Sequence, residues 1–131
     1  MSQELSRMIK NTKTRNHSGK QAEEFAAKYL AKQNVKIITR NFHCRFGEID
    51  LIGLDQEILL FVEVRYRKNE SYLAAVETID RHKCKKIVTT SKYYLNKQRN
   101  YQSYFCRYDV ITLTGELDRP VIEWIKNAFQ A

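Results

Sequence analysis

The stretch that decides the fold runs from residue 47 to residue 65 and reads GEIDLIGLDQEILLFVEVR. Its alternation of polar and apolar side chains predicts two β-strands, 45–53 and 58–66, joined by a turn centred on Asp55 and Gln56. Because side chains along a strand point to alternate faces, one face of this hairpin should be polar and the other apolar. The first face carries Glu48, Asp50, Ile52, Phe61, Glu63 and Arg65, and the second carries Ile49, Leu51, Leu60, Val62 and Val64.

The polar face of this hairpin predicts a metal site. In the register that the turn sets, Asp50 lies opposite Phe61 and diagonal to Glu63. Diagonal partners on one sheet face have Cβ atoms roughly 7 Å apart. Two carboxylates at that spacing can reach a single divalent cation between them.

Length and composition describe one small domain. A chain of 131 residues makes a single hydrophobic core, which we assign to residues 19–131, after a basic arm of residues 1–18 that we expect to be flexible. The N-terminus lacks the apolar run of a signal peptide and no later segment reaches membrane-spanning length, which predicts a cytoplasmic protein. The isolated cysteines Cys44, Cys84 and Cys106 predict reduced thiols rather than disulfides or a zinc site.

The positive charge is concentrated in one part of the chain. Residues 65–107 carry eleven Lys or Arg against three Asp or Glu, whereas residues 21–64 carry five against seven. A basic zone that begins where the acid-bearing hairpin ends would steer a polyanion toward a metal site. A solvated lysine-rich helix is the alternative, and charge alone favours neither. The candidate nucleic-acid-binding residues are Arg65, Arg67, Lys83, Lys85, Lys86 and Lys92.

The remaining periodicity completes an α/β fold. The predicted elements are a helix at 20–32, a strand at 35–44, the two hairpin strands, a long helix at 74–97, a strand at 103–113, and an edge strand after Pro120. The order α-β-β-β-α-β-β predicts a central mixed β-sheet flanked by helices.

Three charged residues allow both a structural and a functional interpretation. Glu23 lies at the edge of an apolar helical stripe, as boundary residues commonly do. Lys83 interrupts a core-facing stripe, so its ammonium either extends to solvent or reaches the carboxylate face. Glu48 would pair with an acid in the predicted register, and we expect Arg45 or Arg107 to neutralise it.

The chain resembles a known superfamily at these positions. Asp50, followed by Glu63-Val64-Arg65 and preceded by Glu23, is similar to the signature of the PD-(D/E)XK phosphodiesterases. More closely, residues 19–129 resemble the YraN-like family of uncharacterised bacterial proteins, which is similar in plan to Holliday junction resolvases. That resemblance rests on Gly19-Lys20-Gln21-Ala22-Glu23, Arg40-Asn41, Gly47-Glu48-Ile49-Asp50-Leu51-Ile52, Phe61-Val62-Glu63-Val64, Arg107-Tyr108-Asp109-Val110 and Asn127-Ala128-Phe129.

The resemblance implies a restriction-endonuclease-like sandwich and a metal-dependent nuclease, with endonuclease and exonuclease action both open. Its substrate would be structured or single-stranded DNA of recombination or repair. Mg²⁺ or Mn²⁺ would be held by Asp50, Glu63, the carbonyl of Val64 and, through water, Glu23. The implied catalytic residues are Glu23, Asp50, Glu63 and Arg65.

Arg65 departs from the family pattern, which has a lysine at this position. Arginine cannot lose its proton to act as a base, but it can hold a phosphate and stabilise its charge. The alternative function is therefore a catalytically silent nucleic-acid-binding protein, and a third is a structural subunit whose acids are paired with arginines. DNA is the expected partner and a membrane is not, while a homodimer stays open.

Overall fold

In a computed structural model, the backbone is described for residues 3–69 and 72–131 and the side chains for residues 18–69 and 75–131. The elements are α1 (Gln3–Lys32), β1 (Lys36–Cys44), β2 (Gly47–Asp55), β3 (Ile58–Arg67), α2 (Tyr72–Glu77), α3 (Arg81–Lys97), a 3₁₀ turn (Arg99–Tyr101), β4 (Phe105–Thr114) and β5 (Val121–Phe129). The strands form one five-stranded sheet in chain order. Only the β3–β4 pair is parallel among the strand pairs of the described residues, so the predicted mixed sheet is confirmed.

Two helices cover the two faces of this sheet. The connection through α2 and α3 carries the chain back across the sheet, which is what a parallel pair such as β3 and β4 requires. α1 packs its apolar side chains against the sheet. These are Ala22, Ala26, Ala27 and Leu30, and they lie against Leu51, Leu60, Val62, Ile111 and Leu113. α3 packs Ile87 and Tyr94 against Ile52, Leu59, Phe61 and Tyr108 on the other face. The sheet thus has an apolar layer on each side, as its uninterrupted apolar strands require.

Both helices differ from their predicted extents. α1 begins at Gln3 rather than at Lys20, and the side chains of most of the predicted basic arm lie outside the described residues, so the arm's flexibility stays a prediction. The predicted long helix 74–97 is two helices, because Asp80 starts α3 by accepting a hydrogen bond from the Lys83 amide at 2.8 Å. Aspartate is a preferred N-cap, and its extended backbone interrupts the helix.

A buried carboxylate joins the last two strands. Asp109 is fully buried and accepts hydrogen bonds from the Arg107 guanidinium, Trp124 Nε1 and the Asn127 amide, each at 2.9 Å. Asn127 has a left-handed backbone, with φ of 54°, and the β4–β5 pairing shifts register beside Asp109. Because β5 is irregular here, the Asn127 amide has no backbone acceptor from a regular ladder, and the Asp109 carboxylate accepts its hydrogen bond instead.

Two compositional predictions also meet the structure. Cys44, Cys84 and Cys106 are free thiols, as predicted. In the part of the chain that the structure describes, no helix has the length and apolar character needed to cross a bilayer.

Candidate active site

The register of the central hairpin differs by two residues from the predicted one. Asp55 pairs with Ile58, so the turn consists of Gln56 and Glu57, and Ile52 rather than Asp50 lies opposite Phe61. Gln56 takes a left-handed backbone, with φ of 57°, which allows a tight two-residue connection. This register places Asp50 and Glu63 immediately beyond the last strand pair, Leu51 and Val62, rather than on a diagonal within the ladder.

The alternation of faces breaks at Asp50. The pairing of β2 with β3 reaches Leu51 and Val62, and beyond it the Asp50 carboxylate accepts a hydrogen bond from the Val64 amide at 2.8 Å. In a continued ladder the Val64 amide would donate to a backbone carbonyl of β2. Here it donates to the Asp50 side chain instead, and β2 separates from β3. The predicted apolar face put Ile49 and Leu51 on the same side of the sheet, and this was wrong. Ile49 packs on the α3 side, whereas Leu51 packs on the α1 side.

A cavity of about 470 Å³ opens where the two strands separate, between α1 and α3. We call it the carboxylate cleft. It is lined by Ser18, Gly19, Ala22, Glu23, Glu48, Asp50, Glu63, Val64, Arg65, Tyr66, Arg67 and Lys83. Every residue that the sequence assigned to catalysis or to metal binding therefore lies in the wall of one cavity.

Three acids in this cleft lie close enough to shift one another's pKa values. The Asp50 carboxyl group lies within hydrogen-bonding reach of both Glu23 and Glu63. Burial raises the pKa of Asp50, against the opposing effect of the Val64 amide. Burial and the neighbouring Asp50 charge raise the pKa of Glu23 as well. The same two causes raise the pKa of Glu63 to about 8, despite the nearby Lys83 and Arg65.

Two cations face the most buried of these acids. Arg65 Nε lies 3.5 Å and Lys83 Nζ lies 3.8 Å from the same oxygen, Glu63 Oε1. Lys83 thus reaches the carboxylate face, the second of its two predicted positions. Arg65 Nε is buried and has no hydrogen-bond partner among the described residues, since 3.5 Å is longer than such a bond. Its guanidinium therefore has capacity for a further acceptor.

Two residues of the site were missed by the sequence reasoning. The Asn41 side chain hydrogen-bonds to Glu23 and lowers its pKa, and its left-handed φ of 53° marks a distortion of β1 across from Asp50. His43 Nδ1 lies 3.2 Å from Glu48, so the expected arginine partner for that acid was wrong. The motif Arg40-Asn41 was the available signal for the first, because an asparagine within a strand is unusual.

The two arginines expected beside Glu48 have other contacts. Arg107 binds Asp109 at 2.9 Å and lies 3.9 Å from Asp55. The Arg45 guanidinium lies over the Phe46 ring, 4.8 Å from its centroid. Neither arginine therefore pairs with Glu48, because the pairing of β1 with β2 places His43 directly opposite that acid.

The candidate nucleic-acid-binding residues divide into two groups. Arg65, Arg67 and Lys83 line the carboxylate cleft, and Lys86 lines an adjoining cavity of about 290 Å³ that shares Glu48 and Lys83 with it. Lys85 instead lines a separate cavity with the C-terminal residues Gln130 and Ala131, and Lys92 is exposed. The helical spacing of α3 places these last two lysines away from its sheet-facing side.

The described residues of the cleft supply carboxylate oxygens but not a complete set of side-chain metal ligands. Among residues 18–69 and 75–131, no group of three or more His, Cys, Asp or Glu side chains is arranged to hold a metal ion. A cation bound here would take two of the acids as ligands, with backbone or water oxygens completing its shell, as Mg²⁺ commonly does.

The raised pKa of Glu63 predicts a pH-dependent stability in the absence of metal. Between about pH 4.5 and about 8, the folded protein holds a proton on Glu63 that the unfolded chain releases. The free energy of unfolding therefore falls as pH rises through this window. Glu63→Gln should remove about 1–3 kcal/mol of that fall, measured by urea unfolding in a chelator. The exposed Glu57→Gln is the control, and parallel pH profiles for Glu63→Gln and wild type would contradict the assignment.

Sequence comparison places the chain among bacterial relatives. Residues 22–113 match the profile of the uncharacterised protein family UPF0102. The chain is 42% identical over 118 residues to a UPF0102 protein of Alcanivorax borkumensis, which covers 89% of this chain and 94% of that protein. It is 44% identical over 115 residues to one of Psychromonas ingrahamii, covering 88% and 91%. The chain therefore belongs to the uncharacterised protein family UPF0102, and its predicted place in the YraN-like bacterial family is confirmed.

Proposed function

We propose that this protein is a metal-dependent phosphodiesterase that acts on DNA, and that its fold is a restriction-endonuclease-like sandwich. The observation that carries the proposal is the group of three acids, Glu23, Asp50 and Glu63, held in one cleft with raised pKa values beside two cations. Burying like charges together disfavours their ionised forms, and such arrangements concentrate at functional sites because a ligand can relieve the repulsion.

The donor set suits a hard divalent cation. Asp50 and Glu63 would be direct ligands of Mg²⁺ or Mn²⁺, the Val64 carbonyl a neutral one, and Glu23 a ligand through water. All four line the carboxylate cleft. Such a cation, when bound, lowers the pKa of a coordinated water and stabilises negative charge on a phosphate.

The cations of the cleft have a role in binding the phosphate. Arg65 can offer a forked pair of donors to the scissile group, and its buried Nε has no hydrogen-bond partner among the described residues. Lys83 would bring a second positive charge to the same phosphate from α3. Both are held close to Glu63, so their charges are positioned before the substrate arrives, which is the efficient form of electrostatic stabilisation.

The surroundings of the cleft support a polyanionic substrate. α3 carries six Lys or Arg and no acidic residue. Lys86 extends the positive lining from the carboxylate cleft into the adjoining cavity. We propose structured or single-stranded DNA of recombination or repair as the substrate class, which such a protein would meet in the bacterial cytoplasm.

A catalytically silent DNA-binding protein is the second candidate, and Arg65 is the observation that favours it. A lysine at this position could orient or deprotonate the attacking water, whereas a guanidinium keeps its proton. Both candidates share the basic surface and differ in whether the bound DNA is cleaved.

The proposed function is tested by cation binding and cleavage together. Titration of Mn²⁺ into the wild type should show one site or two adjacent sites, and Asp50→Asn with Glu63→Gln should abolish them, because both direct carboxylate ligands are lost. Labelled branched, flapped and single-stranded DNA should be cut by the wild type but not by the double variant. The exposed Asp118→Asn serves as the control for a lost surface charge. Cation binding that survives in the double variant would refute the metal site, and binding of DNA without cleavage in either cation would favour the silent protein.

The position of the DNA is tested by two lysines of one helix. Lys86→Ala should weaken DNA binding and reduce its salt dependence, because a phosphate contact beside the carboxylate cleft releases a counterion. Lys92→Ala removes the same charge at a position that lines neither the carboxylate cleft nor the adjoining cavity, so it should have the smaller effect. Equal losses at the two positions would show that only the total charge of α3 matters.

A further inference from the structure

An aromatic ring lies at the tip of the hairpin that leads into the carboxylate cleft. Phe46, in the turn between β1 and β2, keeps 37% of its surface exposed. The Arg45 guanidinium lies 4.8 Å from the centroid of its ring. Tyr93 of α3 contacts the ring in an edge-to-face geometry, with centroids 5.8 Å apart.

The tip is seated firmly on α3. Gly47 has φ of 150°, and a Cβ atom at this position would lie 3.0 Å from Thr90 Oγ1. The missing side chain therefore lets the hairpin approach the helix at Lys86 and Thr90. Phe46 is thus positioned by a close backbone contact and by Tyr93, which gives the exposed ring a defined direction.

The surroundings of the ring are positively charged. Lys86, Tyr93 and Lys97 follow one flank of α3, because their spacing of seven and four residues returns to the same side of a helix. Lys97 Nζ lies 5.6 Å from the centroid of the Tyr93 ring. Aromatic rings interleaved with cations are the combination that binds single strands, in which bases stack and phosphates follow a basic groove.

A continuous surface joins this tip to the acids. The cavity beside Gly47 and Lys86 shares Glu48 and Lys83 with the carboxylate cleft. A strand whose base contacted Phe46 could therefore run along this surface toward Asp50 and Glu63.

We propose that Phe46, supported by Arg45 and Tyr93, is a stacking platform for an unpaired base, with the neighbouring phosphates held by Lys86 and Lys97. This inference rests on the proposed function and deepens it, because it names a substrate with unpaired bases next to the cleavage site. Paired bases in a duplex expose only their edges, so a ring that acts by stacking should distinguish single strands from duplex.

The test compares alanine substitutions at two exposed phenylalanines, Phe46 and Phe105, and adds a conservative substitution of Phe46. Binding of labelled oligothymidylate, and of a duplex of equal length, is measured by fluorescence anisotropy in a chelator so that no cleavage occurs. Phe46→Ala should weaken single-strand binding roughly tenfold and leave duplex binding within about twofold. Phe46→Trp should restore the affinity, because it supplies a ring again. Phe105→Ala removes a ring that is 80% exposed at the opposite end of the sheet and should change neither affinity.

Two results would overturn the platform. One is a Phe46→Ala variant whose single-strand affinity equals that of wild type, when thermal unfolding shows that the variant is folded. The other is an equal loss of affinity for single strand and duplex, which would assign Phe46 to the shape of the hairpin. Either result leaves the proposed function standing if Asp50 and Glu63 still bind a cation. A wild type that binds neither DNA removes the platform, and cation binding then decides the metal site separately.

Discussion

Replacing Arg65 by alanine should lower the rate of phosphodiester cleavage about 10²- to 10³-fold, the usual effect of removing one preorganised charge from a transition state. The guanidinium lies beside Glu63 and has donor capacity left for a phosphate. Arg65→Lys should keep or raise the activity, because lysine preserves the charge and adds a group that can lose a proton. Single-turnover rates at saturating cation give the comparison, with the exposed Arg119→Ala as the control.

Variants of Lys83 test whether Lys83 and Arg65 act on the same phosphate. Its ammonium and the Arg65 guanidinium face the same Glu63 oxygen, so both can approach one phosphate. If they act on the same group, the double alanine variant should lose less than the product of the two single losses, whereas independent roles give a simple product. Unchanged rates in all three variants would refute the electrostatic role of these residues.

Asp109→Ala should destabilise the fold by about 3–5 kcal/mol, the usual effect of removing one partner from a buried ion pair. The variant leaves the Arg107 guanidinium without its bidentate acceptor and also leaves Trp124 Nε1 and the Asn127 amide unpaired. Urea unfolding measures the change. Asp118→Ala, at an exposed position, should stay within about 0.5 kcal/mol of wild type. A loss at Asp109 as small as this would mean that water replaces the carboxylate without difficulty.

This network explains part of the sequence resemblance. The motif Arg107-Tyr108-Asp109-Val110 and the closing Asn127-Ala128-Phe129 are far apart in the chain, yet Asp109 binds the Asn127 amide directly. Tyr108 and Phe129 stack with ring centroids 5.2 Å apart. These motifs therefore hold β5 to β4, whereas the motifs around Asp50 and Glu63 build the carboxylate cleft.

The sequence by itself determined the strands and the group of charged residues. Alternation along residues 47–65 is a local property of the chain, so it predicted β2 and β3 and placed Glu63 and Arg65 together. The helical stripe of α3 likewise placed Lys83 among core-facing positions and left two directions for its ammonium, and Pro120 predicted an edge strand after it. Each of these follows from the repeat of one element and needs no knowledge of its neighbours.

Only the tertiary structure decided how these elements meet. The register depended on the two-residue turn at Gln56 and Glu57, and a slip of two residues preserves the faces while it changes every partner. The separation of β2 from β3 depended on one side-chain bond, from the Val64 amide to Asp50, which no periodicity contains. The packing of α1 against the sheet brought Glu23 to Asn41 of β1, because such a contact is set by the whole fold rather than by local sequence.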